Sequence, residues 1–139
     1  MRIILLSLIL YLVTLFTIVP SALANIQVKL KNLTYEPCPS GSAKNLVLGG
    51  GVMPAECYLI KGKAVNSSGK MVYNADIFGR VYDANGNDVM PERGRLGSVD
   101  IIPPGESDFQ IMLSVPRDQP PPLKLKQFKA SGFAGTVRR

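Results

Sequence analysis

Every second residue of SDFQIMLSV, residues 107–115, is a core-type side chain: Phe109, Ile111, Leu113 and Val115 alternate with Gln110, Met112 and Ser114. A repeat of two lines one side of an extended chain, which a helix of 3.6 residues per turn cannot do. The same repeat runs through IQVKLK, residues 26–31, and through CYLIKGKAV, residues 57–65. In the latter, Tyr58, Ile60, Gly62 and Ala64 share one face, and Leu59, Lys61 and Lys63 the other. In MVYNADIFGRVYD, residues 71–83, Ala75, Ile77, Gly79 and Val81 face one way, and Asn74, Asp76, Phe78, Arg80 and Tyr82 the other. LKLKQFKA, residues 123–130, opposes Leu123 and Leu125 to Lys124 and Lys126, then slips near Gln127. Phe128 reaches the apolar side there only if a bulge intervenes. Short strands with one apolar face, separated by Gly, Pro and Asn, must cover one another, so the pattern predicts an all-β, antiparallel β-sandwich.

The first stretch stands outside that domain. Arg2 precedes an apolar run over residues 3–19, broken by Ser7, Thr14 and Thr17, and then come Pro20 and Ala22-Leu23-Ala24. This is the layout of a signal peptide over residues 1–24, with small residues at the cleavage site, leaving 25–139 as one domain. An uncleaved anchor holding the chain at a membrane is the alternative, since the run is just long enough to span a bilayer. Both readings place the domain outside the cytoplasm, in a periplasm or the extracellular space. Cys38 and Cys57, the only cysteines, fit an oxidising compartment and are expected to pair, contributing roughly 3 kcal/mol by closing a loop of this size. Two independent buried thiols are the other possibility. With no histidine and two sulfurs, a Cys-based zinc site is not expected.

DANGND, residues 83–88, poses a choice between a cation loop and a turn. With Asp83 counted first, the glycine and the closing carboxylate of an EF-hand fall at the wrong positions: Gly86 is fourth and Gly94 twelfth. Asn85-Gly86 after an alternating strand is instead a strong hairpin signal, because both residue types tolerate positive φ. NSSGK, residues 66–70, also reads as a turn. Its Ser67-Ser68-Gly69-Lys70 matches the Ser-x-x-Lys pattern of penicillin-recognising enzymes, but the companion motifs are missing and a hairpin turn is expected. RDQPPPLK, residues 117–124, is expected to run as a stiff, extended crossover between the last two strands.

The stretch GKAVNSSGKMVYNADIFGRVYDANGNDV, followed by IIPPGESDFQIML, resembles the FxLYD family of small extracytoplasmic domains over residues 58–132. The shared pattern is a Gly-x-x-Val-Asn-x-x-Gly turn, a strand ending Tyr-Asp before a glycine turn, and Pro-Gly-Glu-Ser before a strand opened by Phe. The family's leading Phe falls on Gly79 and its Leu on Val81, while Phe78 stands on the opposite face. The resemblance implies an immunoglobulin-like antiparallel β-sandwich of about seven strands, without enzymatic activity or cofactor, and carries over no site residues.

The absence of histidine excludes Ser-His-Asp and Cys-His catalysis on this chain. Glu36, Glu56, Asp100 and Glu106 could form a hydrolytic carboxylate pair only around a cleft, which a sandwich of this size seldom has. The expected function is therefore an exported, non-catalytic interaction or scaffolding module of the cell envelope that binds an envelope protein. Phe78, Arg80 and Tyr82 are the candidate contacts, since aromatic rings and arginine are enriched at binding hot spots. The alternative is binding to an anionic surface or polymer, lipid or polysaccharide, through Lys61, Lys63, Lys124, Lys126 and Lys129. Sixteen Lys and Arg stand against ten Asp and Glu, an excess that also suits a merely soluble exported domain. No nucleic-acid partner is expected, because the two C-terminal arginines, Arg138 and Arg139, are too few to form a nucleic-acid arm.

Overall fold

The computed structural model describes residues 25–39, 47–48, 53–92 and 94–136. The expected signal peptide lies outside these residues. The described residues form antiparallel strands and no helix: β1 (Asn25–Pro37), β2 (Val47–Leu48), β3 (Met53–Asn66), β4 (Val72–Tyr82), β5 (Arg95–Ile102), β6 (Gly105–Pro116) and β7 (Lys124–Phe133). No described helix is long and apolar enough to cross a membrane.

The six long strands lie in the order β6-β3-β1-β7-β4-β5, with β2 added to the start of β3. β3 and β6 pair from Ala55↔Pro116 to Asn66↔Gly105. β1 divides its length between two partners: residues 25–29 pair with β7, beginning at Asn25↔Phe133, and residues 29–37 pair with β3. The ladder to β3 shifts between Lys31 and Thr34, where Asn32 takes a φ of 53°. β5 and β6 end the strand order, are joined through Pro103-Pro104, and pack side by side. The all-β sheet is therefore rolled into a nearly closed barrel.

Alternation fills the interior as expected. Val28 and Leu30 of β1, Tyr58, Ile60 and Ala64 of β3, Ala75, Ile77 and Val81 of β4, and Phe109, Ile111, Leu113 and Val115 of β6 are all buried. Burying each large aliphatic side chain favours the fold by about 1.5–3 kcal/mol. The slip near Gln127 is a bulge: Gln127 has a φ of 56°, and the ladder passes from Arg80↔Lys126 to Phe78↔Lys129, setting an extra residue on β7. Phe128 is thereby turned against the core. Its ring occupies the space over Gly79, where a Cβ would stand 2.6 Å from Phe128 Cδ2. The space that a side chain at position 79 would take is thus filled from the neighbouring strand.

Cys38 and Cys57 form a disulfide with a Cα–Cα distance of 5.4 Å, and Cys38 N–H also donates to the Cys57 carbonyl at 3.0 Å. The bridge ties the end of β1 to β3 and suits an oxidising compartment.

Two connections differ from expectation. NSSGK is a turn but not a hairpin, because β3 and β4 do not pair and the turn carries the chain from β3 to the β4 side of the sheet. Its organiser is Asn66, 2% exposed, whose Nδ2 donates to the Lys70 and Ile102 carbonyls at 2.7 and 3.2 Å while its Oδ1 accepts from Ser68 N at 3.1 Å. The crossover between β6 and β7 is where expected, yet it bends instead of running straight: Gln119 N donates to Pro116 O at 3.0 Å. It is pinned by Leu123 N donating to Tyr35 Oη at 2.9 Å and by Ala84 N donating to Pro120 O at 2.9 Å.

Candidate functional site

Strand β4 alternates strictly at its C-terminal end, which sends Ile77, Gly79 and Val81 inward and leaves Phe78, Arg80 and Tyr82 half-buried on the outer face. Strand β7 lies directly beside them. Tyr82 is opposite Lys124, Arg80 opposite Lys126, and Phe78 opposite Lys129. Directly opposed residues of an antiparallel pair project on the same side. The aromatic–arginine group and the lysines of β7, expected as rival sites, therefore form one surface.

Within this surface Arg80 Nη1 donates to Asp88 Oδ2 at 3.2 Å and to the Pro91 carbonyl at 3.4 Å. Lys126 Nζ stands 5.8 Å from the centroid of the Tyr82 ring, a contact worth about 0.5–1 kcal/mol at an exposed site. A shallow groove of about 640 Å³ opens between Phe78, Arg80, Gly94, Gln127, Phe128 and Lys129. Lys29, exposed on β1, pairs across from Lys129 and continues the same side. Lys29 was not identifiable from the sequence, because its neighbour comes from the far end of the chain.

Lys61 and Lys63 have different surroundings. Lys61 forms an ion pair with Glu36, Lys63 with Asp108 at 2.6 Å, and the nearby Lys31 with Glu106 at 2.8 Å. The hydrogen bond to Asp108, with its negative charge, holds Lys63 above the ordinary lysine pKa, and the hydrogen bond from Lys31 holds Glu106 below the usual carboxylate value. Lys61 and Lys63 are therefore neutralised within the β1, β3 and β6 face, and β3 shares no ladder with β7. Among the described residues no carboxylate lies within ion-pair distance of Lys29, Lys124, Lys126 or Lys129. A second depression, about 440 Å³, lies over Thr34, Lys61, Lys63 and Asp108.

The DANGND stretch is organised around Asp83, only 1% exposed. Asp83 Oδ1 accepts from Asn85 N at 2.8 Å and Asn87 N at 2.9 Å, and Oδ2 accepts from Gln119 Nε2 at 3.5 Å. Burial pushes this carboxyl up, but the Asn87 and Asn85 backbone donors, with the Asn87 and Gln119 side chains, outweigh it and hold the group below its ordinary value. Gly86 N returns to the Asp83 carbonyl at 3.1 Å, and Val89 N to the Val81 carbonyl at 2.8 Å. The stretch reverses the chain, as expected, but only Gly86, with a φ of 81°, takes the left-handed conformation. Asn85 does not, so the loop is a type I turn closed by glycine instead of the two-residue form. Among the described residues no group of three His, Cys, Asp or Glu is placed to hold a metal ion.

Three of the four carboxylates considered for hydrolysis are held in separate ion pairs. Glu36 is held by Lys61, Glu56 by Arg117 at 2.8 Å and Glu106 by Lys31, while Asp100 is on β5. Comparison of the chain with family models, with curated proteins and with solved structures finds no match in any of the three.

Proposed function

We propose that this chain is an exported, non-catalytic binding module of the cell envelope, an FxLYD-like immunoglobulin-type β-sandwich that docks a protein partner through the outer face of β4 and β7. The observation that carries the reading is the cross-strand alignment of Phe78, Arg80 and Tyr82 with Lys129, Lys126 and Lys124. Half-buried rings and a guanidinium are the side chains that dominate interface energetics, and they occur here in one cluster. The disulfide supports export, since such bridges persist in oxidising compartments. Binding to an anionic lipid or polysaccharide is the second reading, favoured by the lysines of β7 that have no acidic partner among the described residues.

The test is site-specific photocrosslinking of the full chain in its intact native envelope. A photoreactive residue in place of Arg80 should give one discrete protein adduct, and the same residue in place of Lys61 should give none. Equal labelling from both positions, or none from position 80, would remove this face as the site.

A further inference from the structure

Resting on that docking face, we propose that the lysines of β7 form a track for an extended acidic segment of a protein, with carboxylates at every second residue and a bulky apolar residue at one end. The Gln127 bulge makes the track. A strict repeat of two from Lys124 and Lys126 would put Phe128 outside and turn Lys129 inward. The extra residue reverses both, so Phe128 meets Gly79 and Lys129 emerges opposite Phe78 on the side of Lys126. Lys29 then extends the row onto β1 through its pairing with Lys129.

The charges of this row are unbalanced where those of the adjoining β1, β3 and β6 face are not. Each of Lys31, Lys61 and Lys63 has a carboxylate partner, and the acids beside the row, Asp76 and Asp88, are taken by Arg95 and Arg80. Alternate residues of a strand lie roughly 6.6–6.8 Å apart. That distance is under the physiological screening length of about 8 Å, so neighbouring ammonium groups act together. A second extended chain carries its same-side carboxylates at the same repeat and meets the row in register. Three of the four lysines lie along β7 and are bordered by the Phe78 and Tyr82 rings of β4, an elongated arrangement that suits a linear chain better than a plane of lipid headgroups. The groove beside Lys129 and Phe128 is placed to take one apolar side chain at the end of such a segment.

Fluorescence anisotropy with the full chain and two synthetic peptides tests this. One peptide alternates Glu with Ser and ends in Phe, and the other has the same composition with its Glu residues in one block. At low ionic strength the alternating peptide should bind about tenfold more tightly, and binding should weaken as salt rises. Lys126→Gln with Lys129→Gln should weaken it by about tenfold or more, and Lys61→Gln with Lys63→Gln should leave it unchanged. Equal affinity for the two peptides, no binding of either, or equal loss in the two lysine variants would overturn the proposal. Binding of phosphatidylglycerol vesicles without binding of peptide would overturn it in favour of a membrane surface. An adduct at position 80 that persists in Lys126→Gln with Lys129→Gln would keep the docking face and reject only the acidic segment.

Discussion

Gly79 and Phe128 should be energetically inseparable. Alanine at position 79 places a methyl group 2.6 Å from Phe128 Cδ2 and 2.9 Å from Cγ. Because Cγ is the first ring atom, a change of ring tilt cannot relieve the overlap, and β7 or the ring must shift. Overpacking of this kind costs about 1–3 kcal/mol, or roughly 3–6 °C in Tm for each kcal/mol in a domain of this size. Phe128→Ala alone should cost about 2–3 kcal/mol, below the usual range for a fully buried ring because Phe128 is half-buried. In that background the new methyl enters vacated space. The unfolded chain meanwhile loses freedom, so Gly79→Ala becomes neutral or stabilising by about 0.4–1 kcal/mol. Denaturant unfolding of the wild type, the two single variants and the double variant should then give a coupling energy above about 1 kcal/mol. Additivity to within about 0.5 kcal/mol would show that the ring does not occupy the glycine's missing side chain.

Gly86→Val should lower stability by about 1–2 kcal/mol through its left-handed backbone, while calcium leaves the wild-type Tm unchanged; a rise of several degrees with calcium would refute the turn assignment. Asp83 is held below its ordinary pKa in the fold, so its contribution is complete above the unfolded value near ~3.9 and is lost as pH falls through the lower folded value. Melting curves in acid should therefore steepen below about pH 4, and Asp83→Asn should remove that share of the slope; an unchanged slope would show that Asp83 is not favoured as its anion. Thiol labelling of the denatured, non-reduced exported chain should find no free cysteine, and reduction should cost about 2–4 kcal/mol in urea titrations. Intact mass of protein from its native envelope should correspond to a chain starting at Asn25, and retention of residues 1–24 would establish an anchor.

Local pattern carried the faces of the strands and failed at their partnerships. The inward rows of β3, β4 and β6, the bulge at Gln127 and the reversal at Gly86 each rest on neighbours within a few residues, where a repeat of two or a positive φ leaves a mark. β5 leaves no such mark, because Gly97 and the Ile101-Ile102 doublet interrupt its alternation. The route through NSSGK is not legible locally, because a turn's composition fixes that the chain bends, not which strand it then joins. The site divided in the same way. Phe78, Arg80 and Tyr82 could be set on one face of β4, but their adjacency to Lys124, Lys126 and Lys129 is a matter of strand order. The neutralisation of Lys61 and Lys63 likewise requires β1, β3 and β6 side by side, as no acid near them in sequence foretells it.

The division of β1 between two partners bears on how the molecule is made. β3 and β6 on one side, and β7, β4 and β5 on the other, share no ladder of their own; only β1 connects them, and its opening residues pair with the last strand, Asn25 with Phe133. A nascent chain that has emerged only as far as β6 still lacks the partner of its first five strand residues. The closing contacts span almost the whole domain, which by contact order predicts slow folding, in milliseconds to seconds. The export proposed above, as an open thread, is compatible with that delay, because the ladder that locks the two halves together forms only after β7 has arrived. The same pairing brings the two ends of the domain to one edge, so a circular permutant joined there by a short linker, and opened at the exposed Ser67-Ser68 turn, should keep the native strand order.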